Sequence, residues 1–156
     1  MAPSDPRPGS IEPVRVTVRV RRGIEDAFDL FTRDVGQWWP LDRASFGGDR
    51  AHELHFEPFV GGRFYERYTD GEEHAAGQVL RWEPPRCIAY TWQHDNWAGP
   101  TEVEVRFIAE APGVTRVELE HRAWDRLGAI AAEMREMYEN GWPTVIGCFE
   151  SLAGAA

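Results

Sequence analysis

Residues 126–152 read RLGAIAAEMREMYENGWPTVIGCFESL, with apolar positions recurring at intervals of three and four. This spacing predicts a long amphipathic helix whose apolar stripe packs on a sheet. The stripe comprises Ile130, Met134, Met137 or Tyr138, Trp142, Val145, Phe149 and Leu152. Pro143 removes a backbone donor and crowds the carbonyl four residues earlier, so we expect a kink near Glu139. Met134 and Met137 offer adaptable surface that suits either an apolar ligand or an irregular core.

Six short strands are predicted in the middle of the chain, separated by glycine and proline turn signals. They cover residues 53–57, 63–68, 77–82, 86–93, 101–108 and 115–121. Because the connections are short, neighbouring strands must run antiparallel, since parallel pairs need crossovers of a dozen or more residues.

A further strand and two short helices are predicted before these six strands. Valines alternate with polar residues over positions 14–21, which indicates a half-buried strand. The apolar spacing then changes to a helical period over residues 24–31, and a second helical turn is expected over residues 34–39 before Pro40. The order predicts an α+β helix-grip fold, in which a curved antiparallel sheet of about seven strands wraps on a long C-terminal helix.

The alternation of side chains sorts each predicted strand into two faces. Tyr90 and Trp92 share the inward face of their strand, and Phe64 and Tyr68 share the inward face of another. Glu66 falls between Phe64 and Tyr68 on that inward face.

One more polar residue is predicted to face inward, because His121 shares its face with Val117 and Leu119. A buried polar group must find partners, shift its pKa or meet a ligand, which makes Glu66 and His121 candidate functional residues. The alternative is that each is a satisfied structural residue. The charged faces of the last two strands, including Glu102, Glu104 and Arg106, are predicted to face solvent.

The chain has 156 residues and a formal net charge of −9. This length suits one domain, predicted over residues 13–154, after a disordered proline-rich tail over residues 1–12. The acidity argues against a nucleic-acid partner, because such binding requires clustered cations. No apolar run has the length of a signal peptide or a membrane span, so we expect a cytoplasmic protein without membrane insertion.

No motif in the sequence predicts a metal ion or a cofactor. Cys87 and Cys148 have no spacing typical of metal ligands. His52 and His55 are three residues apart instead of the four that a zinc-protease helix requires. The sequence also lacks a phosphate-binding glycine loop and a nucleophile elbow.

Eight short stretches together resemble the SRPBCC superfamily. Within it they are similar to the branch named for the C-terminal domain of the heat-shock-protein-90 ATPase activator. The stretches are AFDLFT at 27–32, GQWWP at 36–40, FEP at 56–58, GGR at 61–63, WEPP at 82–85, TW at 91–92, TEVEVRF at 101–107 and GWP at 141–143. The resemblance spans nearly the whole chain after the tail.

The resemblance implies a START-like fold with a hydrophobic cavity between the curved sheet and the final helix. It implies little about chemistry, because the superfamily includes lipid carriers, hormone receptors, polyketide cyclases and co-chaperone domains. The branch has no catalytic signature that transfers to numbered positions here.

The leading hypothesis is a carrier or sensor that binds a small apolar or aromatic molecule in this cavity. The candidate ligand-binding residues are Trp38, Phe64, Glu66, Tyr68, Tyr90, Trp92, His121, Met134, Met137 and Trp142. The alternative is an enzyme like the polyketide cyclases or dehydratases, in which Glu66 or His121 exchanges protons with a carbonyl compound.

Two kinds of protein partner are also considered. The corner at Trp38 and Trp39 suits a homodimer seam, a pocket rim or a core wedge. The family name suggests a chaperone partner, which we rank last because the sequence lacks the extra N-terminal domain of the eukaryotic activator.

Overall fold

The computed structural model describes residues 11–156. The disordered tail predicted over residues 1–12 falls mainly on residues 1–10, which lie outside the described residues. In chain order, the helices and strands are β1 (Val14–Val20), α1 (Ile24–Phe31), β2 (Ala51–Phe56), β3 (Arg63–Tyr68), β4 (Glu73–Glu83), β5 (Cys87–Trp92), β6 (Thr101–Ala111), β7 (Val114–Arg122) and α2 (Ala131–Ala153). Short 3₁₀ segments occupy Val35–Gln37, Gly48–Arg50 and Trp124–Ile130. The predicted α+β helix-grip fold is confirmed.

The seven strands form one curled sheet in the order β1-β7-β6-β5-β4-β3-β2, and every neighbouring pair is antiparallel. The first strand therefore pairs with the last, and Val14 lies opposite His121. The end of the chain continues this edge, because the Arg21 amide donates to the Gly154 carbonyl and Val20 bridges Ala155. These contacts fix the C-terminal end of α2 against β1.

The sequence prediction placed the start of β4 at Gly77, four residues later than the observed start at Glu73. Gly77 instead lies beside an irregularity in the pairing of β3 with β4, between Phe64 and Tyr65. A Cβ at Gly77 would lie 1.7 Å from the Thr91 carbonyl oxygen, so the close approach of the β5 backbone requires glycine here. The glycine marks a bulge inside the strand and not its beginning.

The long helix begins later than predicted. Residues 124–130 form a 3₁₀ segment interrupted at Gly128, whose φ of 64° and ψ of −126° are non-helical. The α-helix then runs from Ala131 to Ala153 and continues through Pro143. No non-helical residue interrupts α2 at Glu139, where the effect of Pro143 was expected. The non-helical residue lies earlier, at Gly128, where glycine adopts positive φ without the steric cost of a side chain.

The core between the sheet and α2 is filled by aromatic rings. Phe31 contacts Phe107, Phe149 and Trp38 at centroid distances of 5.7, 5.1 and 5.0 Å. Trp38 is only 5% exposed, and its indole Nε1 donates to the Leu30 carbonyl at 2.9 Å. Trp38 is therefore a core wedge. The corner at Trp38 and Trp39, which was considered as a dimer seam, is buried within the chain.

The outer face of the sheet is charged, as predicted, but one carboxylate on it is not exposed to solvent. Glu104 is only 7% exposed. Its carboxylate lies within salt-bridge distance of Arg81, Arg106 and Arg122. The guanidinium groups cover the carboxylate and supply its hydrogen bonds, so the prediction of a solvent-facing Glu104 is wrong.

Candidate functional site

A cavity of about 270 Å³ lies between the loop of residues 40–48, the end of β5 and the middle of α2. Its walls include Trp39, Phe46, Trp92, Met137, Trp142 and Val145. We call this space the aromatic cavity. Its volume is close to the lower end of pockets that hold small organic ligands, so it suits a body of about two fused rings.

Trp92 is the centre of the aromatic wall. Its ring centroid lies 5.1 Å from that of Phe46, 6.0 Å from that of Tyr138 and 6.3 Å from that of Trp142. These rings come from three separate parts of the chain, namely the 40–48 loop, β5 and α2. A flat ligand lying against these rings would extend an existing array of aromatic contacts.

The Tyr138 hydroxyl lies between two nitrogen atoms at the wall of the aromatic cavity. The Trp92 Nε1 donates to it at 2.7 Å, and the His94 Nε2 lies 3.0 Å from it. Because an indole nitrogen only donates, the hydroxyl proton is available for His94. Both hydrogen bonds form when His94 is neutral and its Nε2 accepts a hydrogen bond from the Tyr138 hydroxyl.

The pKa values of this pair agree with that assignment. Burial lowers the pKa of His94, assisted by the nearby His74 and opposed by Asp95. Burial raises the pKa of Tyr138 to about 12, against the hydrogen bond from Trp92. At neutral pH the cavity therefore presents a neutral imidazole and a protonated phenol, which together accept and donate hydrogen bonds.

Glu66 holds the 40–48 loop in place. Its side chain is 2% exposed, and its carboxylate accepts hydrogen bonds from the backbone amides of Phe46 at 2.8 Å and Gly47 at 3.0 Å. A Cβ at Gly47 would overlap the Tyr68 ring in its present position, so the loop backbone packs closely on that ring. Glu66 and Tyr68 thus position Phe46 at the cavity without lining the cavity themselves.

His121 holds Trp142 from inside the core. The Trp142 Nε1 donates to His121 Nδ1 at 2.9 Å, so the imidazole proton is on Nε2, which lies 2.7 Å from the Thr101 hydroxyl. The Thr101 hydroxyl in turn donates to the Trp92 carbonyl at 2.7 Å. Burial lowers the pKa of His121 to about 3, so the ring is neutral at physiological pH. This chain of hydrogen bonds links two walls of the aromatic cavity.

Of the residues predicted to bind ligand, three line the aromatic cavity, namely Trp92, Met137 and Trp142. Phe64 and Tyr90 are fully buried against each other, with ring centroids 4.9 Å apart. Met134 is partly buried against the core. The remaining four, Trp38, Glu66, Tyr68 and His121, occupy the structural positions described above.

The structure also brings residues to the cavity that the sequence prediction did not select. His94 shares the inward face with Trp92, and Tyr138 occupies the apolar stripe of the helix. Strand alternation and helical spacing could therefore have identified these two residues. Arg43, Ser45 and Phe46 come from a loop that has no periodicity. A loop residue of this kind has no signal in strand or helix spacing.

A larger depression of about 510 Å³ is lined by polar residues that include Arg63, Gln78 and Asp95. Arg63 already donates to Glu57 and Glu73 there, so its charge is paired. Within residues 11–156, no three His, Cys, Asp or Glu side chains cluster as a metal site would require. None of the helices in this part of the chain combines the length and apolarity needed to cross a bilayer.

The family model for Activator of Hsp90 ATPase homolog 1-like protein matches residues 22–154. No curated protein matches the sequence. Among solved structures, the chain is similar to the anthrahydroquino-gamma-pyrone synthase Txn09, with 35% identity, a TM-score of 0.57, and coverage of 85% of this chain and 90% of that chain.

Two further structures are similar over most of their length. CalC, a self-sacrificing resistance protein from Micromonospora echinospora, is 28% identical, with a TM-score of 0.66 and coverage of 91% of this chain and 94% of that chain. An HSP90 activator from Plasmodium falciparum is 20% identical, with a TM-score of 0.61 and coverage of 94% and 99%. At that identity, the likeness to the HSP90 activator establishes a shared fold alone.

Proposed function

This chain belongs to the family of Activator of Hsp90 ATPase homolog 1-like proteins, and on that premise we propose that it binds a small planar aromatic molecule in the aromatic cavity. The observation that carries the proposal is a cavity walled by Trp39, Phe46, Trp92 and Trp142, with the hydrogen-bonded Tyr138 and His94 pair among its few polar groups. Mostly aromatic walls with few, fixed polar groups are typical of small-molecule sites. The ligand's ring packs against the tryptophans, and a hydroxyl or carbonyl on it hydrogen-bonds to Tyr138 or His94.

The comparisons support an aromatic ligand. The relative with 35% identity is named as a synthase of an anthrahydroquino-gamma-pyrone, a planar fused-ring compound. The walls of the aromatic cavity are suited to flat rings of this chemical kind, although the cavity itself accommodates only part of such a large molecule. The remainder would extend through the open mouth.

The first test measures binding of 2-naphthol by tryptophan fluorescence and calorimetry. A ligand of this size in an aromatic site is expected to bind with a Kd on the order of 0.1 mM. Gly141 lies on α2 at the cavity, and a Cβ there meets no atom within 4 Å. The Gly141→Phe variant should therefore fill the cavity, preserve the helix and raise the Kd about tenfold or more.

Gly147 on the same helix provides the matched control. It also has open space at its Cβ, and it lies outside the aromatic cavity. The Gly147→Phe variant should retain the wild-type Kd for 2-naphthol. Equal binding by wild type and a folded Gly141→Phe variant would show that 2-naphthol binds elsewhere, and would refute the proposal.

A second candidate function is proton-transfer catalysis on the bound aromatic ketone, favoured by the Tyr138 and His94 pair. The neutral His94 Nε2 accepts a proton from the carbon next to the ketone, and the C–H electron pair forms the enolate double bond. The Tyr138 hydroxyl, which accepts from Trp92 Nε1, turns its own proton from His94 to the enolate oxygen and stabilises that oxygen by donating a hydrogen bond. The His94 imidazolium exchanges its proton with solvent and returns one to the α-carbon, which restores both the ketone and the neutral imidazole, so no other reactant is required.

We expect this activity to appear as deuterium exchange at the α-carbon of 2-tetralone in D₂O, followed by NMR. Tyr138→Phe removes the hydroxyl and keeps the ring, so it should lower the exchange rate about 100-fold while changing the Kd less than about threefold. His94→Gln should have a similar effect, whereas His52→Gln, at an exposed position on β2, should have none. Exchange at the wild-type rate in both cavity variants would leave ligand binding as the sole proposed function.

A further inference from the structure

Arg43 is the only formally charged residue among the described residues that line the aromatic cavity, and no carboxylate lines it. The surrounding walls are apolar or aromatic, apart from Ser45 and the Tyr138 and His94 pair. The charge of the cavity is therefore positive, although the chain as a whole has a formal net charge of −9.

The guanidinium of Arg43 has few partners in the described part of the chain. The closest carboxylate oxygen, Asp42 Oδ1, lies 3.9 Å from its Nε, beyond hydrogen-bond distance, and the Asp42 side chain is 81% exposed. Its hydrogen-bond contact is the Cys148 sulfur at 3.8 Å, which is a weak acceptor. By contrast, Arg67 on β3 donates to Glu73 at 2.9 Å.

The position of Arg43 is at the mouth of the cavity. The residue lines the aromatic cavity on one side and an open groove along Pro143, Gly147 and Leu152 on the other. Its contact with Cys148 places the guanidinium at the seam between the 40–48 loop and α2. A ligand whose ring lies against Trp92 would direct its outer end toward this seam.

We propose that the site selects aromatic anions, with the ring against the tryptophans and a carboxylate or acidic phenolate paired with Arg43. The inference rests on the proposed function and adds the charge of the ligand to it. A guanidinium presents N–H donors in a planar fork that matches a carboxylate. The ligand's anionic group is then recognised by charge and hydrogen bonds, and its ring by aromatic contacts. The ligand is held in one orientation, because only one end of the cavity carries the cation.

The test compares two probes of similar shape, 2-naphthoate and the uncharged 2-acetylnaphthalene. The wild-type protein is expected to bind 2-naphthoate about tenfold more tightly at low salt, and this preference should shrink as salt is raised. Arg43→Met should reduce the preference to less than about twofold, and Arg43→Lys should leave an intermediate value.

Arg33 is the matched control for Arg43. Its side chain is similarly exposed, its closest carboxylate oxygen lies at a similar distance of 3.8 Å, and it is outside the cavity. Arg33→Met should therefore retain the tenfold preference. Equal affinity of the wild type for the two probes, or a preference that survives Arg43→Met, overturns this inference.

The uncharged probe separates this inference from the function on which it rests. Binding of 2-acetylnaphthalene that is lost in Gly141→Phe supports the aromatic cavity as the site, whatever Arg43 contributes. Failure of both probes to bind the wild-type protein would overturn the proposed function and the charge selection together.

Discussion

Glu66→Ala is expected to lower the free energy of unfolding by about 2–4 kcal/mol and to release the 40–48 loop. The wild-type carboxylate is 2% exposed and accepts from the amides of Phe46 and Gly47. Alanine leaves both amide donors without their acceptor and creates a small void beneath the loop. Because the loop carries Phe46 into the aromatic cavity, the variant should also bind 2-naphthol more weakly.

Urea unfolding and amide hydrogen exchange test this expectation. The Phe46 and Gly47 amides should exchange faster in Glu66→Ala, and Glu66→Gln should have a smaller effect because its amide oxygen still accepts one hydrogen bond. Glu53→Ala is the control, since Glu53 on neighbouring β2 is more exposed and pairs with Arg67. Its unfolding midpoint should stay close to that of wild type. A Glu66→Ala protein as stable as Glu53→Ala would contradict the structural role.

The face of Glu66 was predictable from the sequence, whereas its partner was not. Alternation along β3 places Glu66 beside Phe64 on the buried side, and the structure confirms that burial. The groups that satisfy it are backbone amides 19 and 20 residues earlier in the chain. Every residue except proline carries such an amide N–H, so no residue type or spacing in the sequence identifies these two.

Spacing in the sequence likewise predicts the sheet and the final helix but not the side chains that fill the space between them. The period-two and helical patterns predicted the sheet and the final helix, because burial of one face imposes those periods. They could not predict which aromatic rings fill the core. Phe56 stacks on Phe64 at 4.4 Å, and Tyr90 packs against both, so this part of the space is occupied by the protein's own side chains.

The cavity therefore lies nearer the mouth, where β5 meets the loop and α2. Trp92 and Trp142 were predicted at the site because each has a clear position in a strand or a helix. Phe46 and Arg43 were not, since a loop has no fixed relation between position and direction. Gly128 shows a similar limit in the backbone, because its identity permits positive φ without requiring it.

Acid is expected to destabilise the protein through His121, by about 2 kcal/mol between pH 7 and pH 5. Burial lowers the pKa of His121 to about 3 in the folded chain, compared with an ordinary value of about 6.5 when unfolded. Below pH 6.5 the unfolded chain therefore binds a proton that the folded chain excludes. The contribution to stability is complete above that pH and is lost progressively as the pH falls toward 3.

The pKa of His121 is lowered because the ring is buried among apolar and neutral groups. Trp124 and Tyr138 pack on His121 at centroid distances of 4.1 and 5.2 Å, and Trp142 donates to its Nδ1. A proton on Nδ1 would replace the acceptor for Trp142 with a second donor. Protonation therefore opposes both the burial of the ring and the placement of Trp142 at the aromatic cavity.

His121→Asn isolates this effect, because asparagine retains an oxygen acceptor but does not titrate. The variant should be less stable than wild type at pH 7, and its loss of stability between pH 7 and pH 5 should be smaller than that of wild type by about 2 kcal/mol. Urea unfolding at each pH measures both quantities, and His52→Asn, at an exposed position, should change stability equally at the two pH values. Identical pH dependence in wild type and His121→Asn would mean that the ring titrates similarly in the folded and unfolded chains, and that the neutral imidazole does not hold Trp142 as the structure indicates.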